Sequence, residues 1–288
     1  MNLLSGLDKF GFDAESTNIF EEEKSSVKKA DAVQPQAENV PKETDFLLEK
    51  AIRCPVCDSV FKTKMIKNGR MKRLEPDADL RPRFQYIDSL KYDVSSCPKC
   101  GYTAMNRYFE HLSQIQIKLI QENICSKFKP DSIPNPEGLV ACDYETAISK
   151  YKLALFNSIA KKAKASEKAY TCLKISWLLR GQGESLTGDT DEIKAQREAV
   201  KKEEDAFYVQ AYEGFVKAVA TELFPMCGMD QSTVDYLMAA MAFHLKKYDV
   251  ASKTISSILV SRTAPNKIKD KALNMKDEII AAIKGNAK

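Results

Sequence analysis

Two stretches carry recognisable chemistry in their residue types and spacing, Cys54-Pro55-Val56-Cys57 and Cys97-Pro98-Lys99-Cys100-Gly101-Tyr102. Paired Cys-x-x-Cys knuckles supply four thiolates, the ligand set of a closed tetrahedral zinc site. Each two-residue turn lets a pair of sulfurs converge on one ion at about 2.3 Å. The Gly after the second knuckle permits the positive φ of a tight turn. Cys54, Cys57, Cys97 and Cys100 are therefore expected to hold a structural Zn2+. Iron is the alternative, since rubredoxin-like knuckles present the same sulfurs. Four protein ligands leave a tetrahedral ion no position for an activated water, so catalytic metal chemistry is not expected. Thiol–disulfide chemistry, the other use of Cys-x-x-Cys, needs a βαβ pattern around one knuckle, and the sequence offers none.

No other residue set specifies a reaction. His111 and His244 are the only histidines, and both fall in helical segments far in sequence from the knuckles. Gly-x-Ser-x-Gly, a Gly-rich phosphate loop and a His-x-x-x-His pair are all missing, so no catalytic or cofactor-binding residues are assigned. Asp77-Ala78-Asp79-Leu80-Arg81-Pro82-Arg83 is read as a loop whose acids pair with its own arginines; recognition of an external anion by the arginine forks is the sharper alternative. Lys161-Lys162-Ala163-Lys164 is read as a solvated helix end. Lys62, Lys64, Lys67, Arg70, Lys72 and Arg73 flank a hairpin interleaved with Phe61, Phe84, Tyr86 and Tyr92. This is a candidate nucleic-acid face, set against an ordinary small core with bases offsetting thiolate charge.

The elements that must position the knuckles follow from hydrophobic period. Residues 46–52 lead into the first knuckle. Val60 to Ile66 reads as a strand, Asn68-Gly69 as a hairpin turn, and Arg70 to Leu74 as its return. Phe84 to Ile87 and Leu90 to Val94 read as further extended pieces. Met105, Tyr108, Phe109, Leu112, Ile115, Leu119 and Ile120 recur at three and four, one face of a helix reaching about Phe128. Pro130, Pro134, Pro136 and Gly138 then break the chain. Beyond them the pattern is helical throughout. Helix starts are expected at Asp143, Ser166 and Asp230 or Ser232, a stop at Gly181 and Gly183, a long helix ending before Pro225, and a final helix from Pro265 to Gly285.

The fold class is α+β, mostly α: a small β zinc ribbon followed by antiparallel helical hairpins. The pair at 232–261, with small Ala239 and Ala251, has tetratricopeptide spacing. The domain plan is a disordered acidic tail with a short apolar N-terminal motif at 1–45, the ribbon with its long insert and following helix at 46–128, a Pro-rich loop at 129–139, and the helical domain at 140–284. Residues 1–45 carry ten acids and five lysines, while 53–91 carry ten Lys/Arg and five Asp/Glu. The net charge of +4 falls to about +2 once a zinc–tetrathiolate of formal −2 is counted, too mild to argue for nucleic acid from bulk charge. Cys125, Cys142, Cys172 and Cys227 stand singly, which fits a reducing cytoplasm better than a disulfide scaffold. No secretory leader and no stretch of roughly 18 apolar residues is seen.

Cys54-Pro-Val-Cys57, then Asp77-Ala-Asp-Leu-Arg-Pro-Arg-Phe84, then Tyr92-Asp-Val-Ser-Ser-Cys-Pro-Lys-Cys-Gly-Tyr102 with Phe109 following, resembles a bacterial family known only as a domain of unknown function. The resemblance spans roughly residues 50–284 and implies a split zinc ribbon followed by tetratricopeptide-like helices. Asp58 departs from it, standing where the family usually has Gly. The family carries no established activity. The expectation is therefore a non-enzymatic, zinc-stabilised adaptor that binds a protein or peptide through its helices. Nucleic-acid binding by the ribbon is the alternative, and a metal or thiol-redox enzyme stands third.

Overall fold

The structure is a computed structural model and describes residues 40–67, 69–130, 132–133 and 138–286. The apolar N-terminal motif and most of the acidic tail lie outside the described residues, as do Asn68, Pro134 and Pro136. Contacts divide the chain into Met1–Val40 and Pro41–Lys288, and the second unit is described here.

Two short antiparallel sheets carry the knuckles. Strand β1 (Leu47–Arg53) pairs with β2 (Val60–Ile66), from Leu47 opposite Ile66 to Arg53 opposite Val60. Strand β3 (Val94–Ser96) pairs with β4 (Thr103–Met105). The hairpin expected at Asn68-Gly69 is corrected. The partner of β2 is the segment read as a mere lead, because the knuckle itself closes the hairpin. Gly69 does adopt a turn conformation at φ 78°. The chain after it pairs instead across the Asp77–Arg83 loop, with Leu74 N–H donating to Arg83 O at 2.9 Å and Arg73 bridging Phe84. Leu90 lies in a 3-10 turn, Ser89–Tyr92, capped by the Asp88 carboxylate, and only Val94 onward is extended.

The single helix expected from Met105 is also corrected. It is broken into α1 (Asn106–Phe109), α2 (Gln114–Ile120) and a π-helical turn, Gln121–Cys125. Ser113 causes the break. Its hydroxyl accepts Gln116 N–H at 3.3 Å while Gln116 Oε1 accepts Ser113 N–H at 3.1 Å, a reciprocal capping box that starts a new helix.

Six longer helices follow: α3 (Tyr144–Ala160), α4 (Ala165–Ser185), α5 (Asp191–Thr221), α6 (Gln231–His244), α7 (Tyr248–Val260) and α8 (Asn266–Asn286). Asp143 and Asp230 cap α3 and α6 by accepting the N–H of Thr146 and Thr233. Ser166 is not a cap; α4 begins one residue earlier, and the Ser166 hydroxyl is spent on Glu222. Nor do Gly181 and Gly183 end α4, which runs on to Ser185. Helices α4 and α5 form an antiparallel hairpin: Ala169 meets Gly214, Arg180 meets Glu204, and Arg197 reaches back to the Leu186 carbonyl.

The main core runs through both kinds of structure. Leu90, Val94 and Met105 from the ribbon pack with Tyr151, Leu173, Leu178, Phe215, Leu237 and Ile255 from the helices. A smaller core surrounds the knuckles, with Phe61, Tyr102, Phe109 and Ile120. Among the described residues no helix is long and apolar enough to cross a membrane.

Glycines within the hairpin give opposite expectations. A Cβ on Gly214 would stand 2.8 Å from Ala169 Cβ and 3.2 Å from its Cα, so Gly214→Ala must push α4 and α5 apart. It should cost about 1–3 kcal/mol, outweighing the ~1 kcal/mol that alanine gains in helix propensity. At Gly183 the nearest atom would be 3.8 Å away, so Gly183→Ala should stabilise. Urea denaturation of the two variants checks the sign of each.

Candidate metal centre

The two knuckles are built alike from the backbone up. In the first, Cys54 N–H donates to Ser59 O and Asp58 N–H to Cys54 O, both at 2.9 Å. In the second, Cys97 N–H donates to Tyr102 O at 2.8 Å and Gly101 N–H to Cys97 O at 3.0 Å. The residue after each second cysteine is left-handed, Asp58 at φ 58° and Gly101 at φ 75°. The site thus explains why the two positions differ. A Cβ on Gly101 would collide with the Phe128 ring. The Asp58 side chain points into solvent, and aspartate is among the residues that tolerate this conformation.

These turns aim four sulfurs at one point. The sulfurs of Cys54, Cys57, Cys97 and Cys100 all lie within 4.8 Å of one another. Cys54 and Cys100 are 3.6 Å apart, as are Cys57 and Cys97. A tetrahedron with metal–sulfur bonds of about 2.3 Å has edges of about 3.8 Å, close to these two separations, so the cluster could hold a metal ion. Cys54, Cys97 and Cys100 are buried and Cys57 is half-buried.

Backbone N–H groups of Val56 and Cys57 point at the Cys54 sulfur, and those of Lys99 and Cys100 at Cys97. Such donors favour thiolate. The crowding of sulfurs pulls the thiols of Cys54, Cys97 and Cys100 apart. Hydrogen bonds from Cys100 and Cys54 hold Cys97 down to about 2. Cys100 is driven up by Cys54, by Cys97 and by burial. Cys54 is pushed up to about 12, because Cys97 and burial outweigh the favourable bond from Cys100. A divalent cation relieves this conflict by taking the place of the shared protons.

Other singled-out residues turn out differently. The Asp77–Arg83 loop does pair internally, Arg83 Nε meeting Asp77 at 2.6 Å, but most of its charge is spent on α4. Asp79 takes Arg180 Nη2 at 2.8 Å and the Trp177 indole N–H at 2.9 Å. Arg81 and Arg83 both grip Glu184, and Arg180 continues to Glu204 on α5 at 2.9 Å. Burial raises the Asp79 pKa, yet Arg180 and the Trp177 N–H more than offset that and hold it below the usual carboxylate range. Trp177, Arg180 and Glu184 recur at three and four along α4, a stripe from which the sequence could have marked the partner of this loop.

Lys161 is not solvated; it is buried and paired with Glu167 at 2.8 Å. His111 is exposed, and His244 lies 3.4 Å from Asp205 and against the Tyr208 ring. Neither histidine joins the sulfur cluster. Cys125, at the end of the π-helical turn, packs on the knuckle core within hydrogen-bond reach of Cys100; no sequence signal places it there.

Two cysteine-tipped hairpins closing on each other, with a body of helical hairpins behind them, define a four-cysteine ribbon protein. The chain belongs to a bacterial family described as an uncharacterized protein conserved in bacteria (DUF2225), whose family model matches residues 47–279. No curated protein and no solved structure matches it.

The purified chain should carry one metal ion, and Cys97→Ser should abolish stoichiometric metal and unfold the ribbon, since binding energy at such sites is folding energy. Protons compete for the sulfurs, so metal affinity should fall as pH falls below neutral. Elemental analysis and chelator competition across pH check both, and a metal-free native chain would reject the site. Separately, Arg180→Ala strands the buried Asp79 carboxylate and should cost about 3–5 kcal/mol at neutral pH. The depressed Asp79 pKa makes its contribution present above about pH 4 and lost on acidification, so the penalty should shrink in acid. Urea denaturation at both pH values measures it.

Proposed function

We propose that the chain is a non-enzymatic, zinc-stabilised adaptor that takes a peptide or protein partner in a groove of its helical part. The observation that carries this reading is a cleft of about 610 Å³ among α4, α5, α6 and α8, floored by Ala78 and Asp79 of the ribbon insert. Its walls include Leu179, Val200, Phe243 and Met275, and Arg197 and Lys201 stand at its edge. An apolar trough with charged edges suits an amphipathic segment laid into it. A concave surface shared by several packed helices is what stacked helical hairpins offer a partner. Ala239 and Ala251, both fully buried, allow the close approach of α6 and α7 that a tetratricopeptide-like unit needs.

Zinc is the favoured ion because a ribbon with four cysteine ligands is its common structural site. Eight cysteines without a disulfide fit a reducing cytoplasm. Nucleic-acid binding is weakened as a rival because its stacking groups are committed elsewhere. Phe61 and Tyr92 are buried and Phe84 is packed on a core cluster, leaving Tyr86 exposed.

Val200→Glu and Phe243→Glu should each weaken a purified partner at least about ten-fold, with metal content and circular dichroism unchanged. Ser256→Glu on α7, outside the groove, should bind as wild type. Equal loss in all three variants, or in none, rejects the groove. Salt-sensitive binding of nucleic acid by the purified chain would favour the rival instead.

A further inference from the structure

A second cavity lies in the seam between the ribbon and α4. Its volume is about 360 Å³, inside the roughly 300–1,000 Å³ range of small-molecule sites. Tyr170, Lys174 and Trp177 line it from α4, spaced by four and three along one face. Leu90, Tyr92 and Asp93 line it from the 3-10 turn and its C-terminal cap, and Met65 and Ile66 from the end of β2. Its lining shares no residue with the groove of the helices. Leu90, Tyr92, Lys174 and Trp177 are buried, so the walls are fixed by the surrounding packing.

The charges in this cavity cancel. Lys174 is ion-paired with Asp93 and stands over the Tyr170 ring, 4.7 Å from its centroid. An anionic occupant would compete with Asp93 for Lys174, and a cationic one with Lys174 for Asp93. Either leaves a charge of the pair unmatched, which a neutral occupant avoids. Ring surface makes up much of the remaining wall. Trp177 spends its indole N–H on Asp79 and Tyr92 its hydroxyl on Glu43, so each offers an occupant its ring. Tyr170 and Trp177 meet edge to face, with centroids 6.4 Å apart and planes at 86°. A further ring is favoured beside such a pair in an offset or edge contact, and the Met65 thioether also suits a ring neighbour. The Asn106 amide is committed to the Tyr92 carbonyl and to Ser95. Among the described residues the Ser89 and Tyr170 hydroxyls, both at the cavity, have no hydrogen-bond partner. One polar group on the occupant answers them. We infer that this cavity binds a small uncharged molecule of one or two aromatic rings bearing an amide, carbonyl or hydroxyl group. Tyr170 and Trp177 are its ring contacts and Ser89 its polar contact.

Trp177 is the only tryptophan, so its indole N–H gives a single nuclear magnetic resonance signal from the cavity wall. The full chain is titrated with naphthalene-2-carboxamide, with the charged 2-naphthoate, and with the saturated decahydronaphthalene-2-carboxamide. A saturable shift of that signal is expected with the aromatic amide, at an affinity at least about ten-fold above either analogue. Tyr170→Ala removes a wall and Met65→Tyr fills the space; each should weaken the amide at least about ten-fold. Phe156→Ala, at an exposed ring on α3 outside the cavity, should bind as wild type. Circular dichroism and metal content confirm that the variants fold, and the comparison of the three probes on the unaltered chain needs no variant. No saturable shift, or equal affinity for the naphthoate or the saturated amide, overturns the proposal. So does wild-type affinity in folded Tyr170→Ala or Met65→Tyr, or an equal loss in Phe156→Ala.

Discussion

Asp79 cannot sit buried alone. Taking a carboxylate from water costs several kcal/mol unless a cation and donors replace the water. Arg180 and the Trp177 indole do so here, and that requirement sets the position of much else. Arg180 also holds Glu204, which fixes the register of α4 against α5. One turn further along α4, Glu184 receives Arg81 and Arg83. On the other side the Tyr236 hydroxyl of α6 donates to the Ala78 carbonyl at 3.0 Å. Three helices and the ribbon insert therefore meet at one ionic junction, which also floors the groove.

The same junction shows what a sequence reveals and what it hides. The knuckles are legible because cysteine spacing is a local code and both turns are closed by their own backbone. Asp143 and Asp230 are legible as caps for the same reason. The strand β1 is not, because Asn68-Gly69 is the stronger local turn signal, whereas the cysteine turn provides the closure. Ser113 carries a capping box that a continuous apolar stripe conceals. Gly181 reads as a stop, yet it lies inside α4 where Arg81 and Tyr144 press against the helix and leave no room for a side chain. Such a constraint belongs to the tertiary contact and has no local signature.

Charge in the ribbon reads differently once the partners are known. The basic excess between the knuckles suggests an outward-facing surface. Part of it faces inward: Arg81 is buried against carboxylates and Lys91 is held by Glu43, while Lys62, Arg70, Lys72 and Arg73 are exposed. Three of the four aromatics that could have stacked on bases, Phe61, Phe84 and Tyr92, instead fill two small cores, around the knuckles and around Tyr92.

Ala78 and Asp79, contributed from between the two cysteine hairpins, form part of the wall of a cleft otherwise made of helices. The cleft is therefore composite. A fragment consisting of the helices alone would display a different trench, missing one bank and the Asp79 counter-charge to Arg180, so the shape and charge of the cleft come jointly from both halves of the chain.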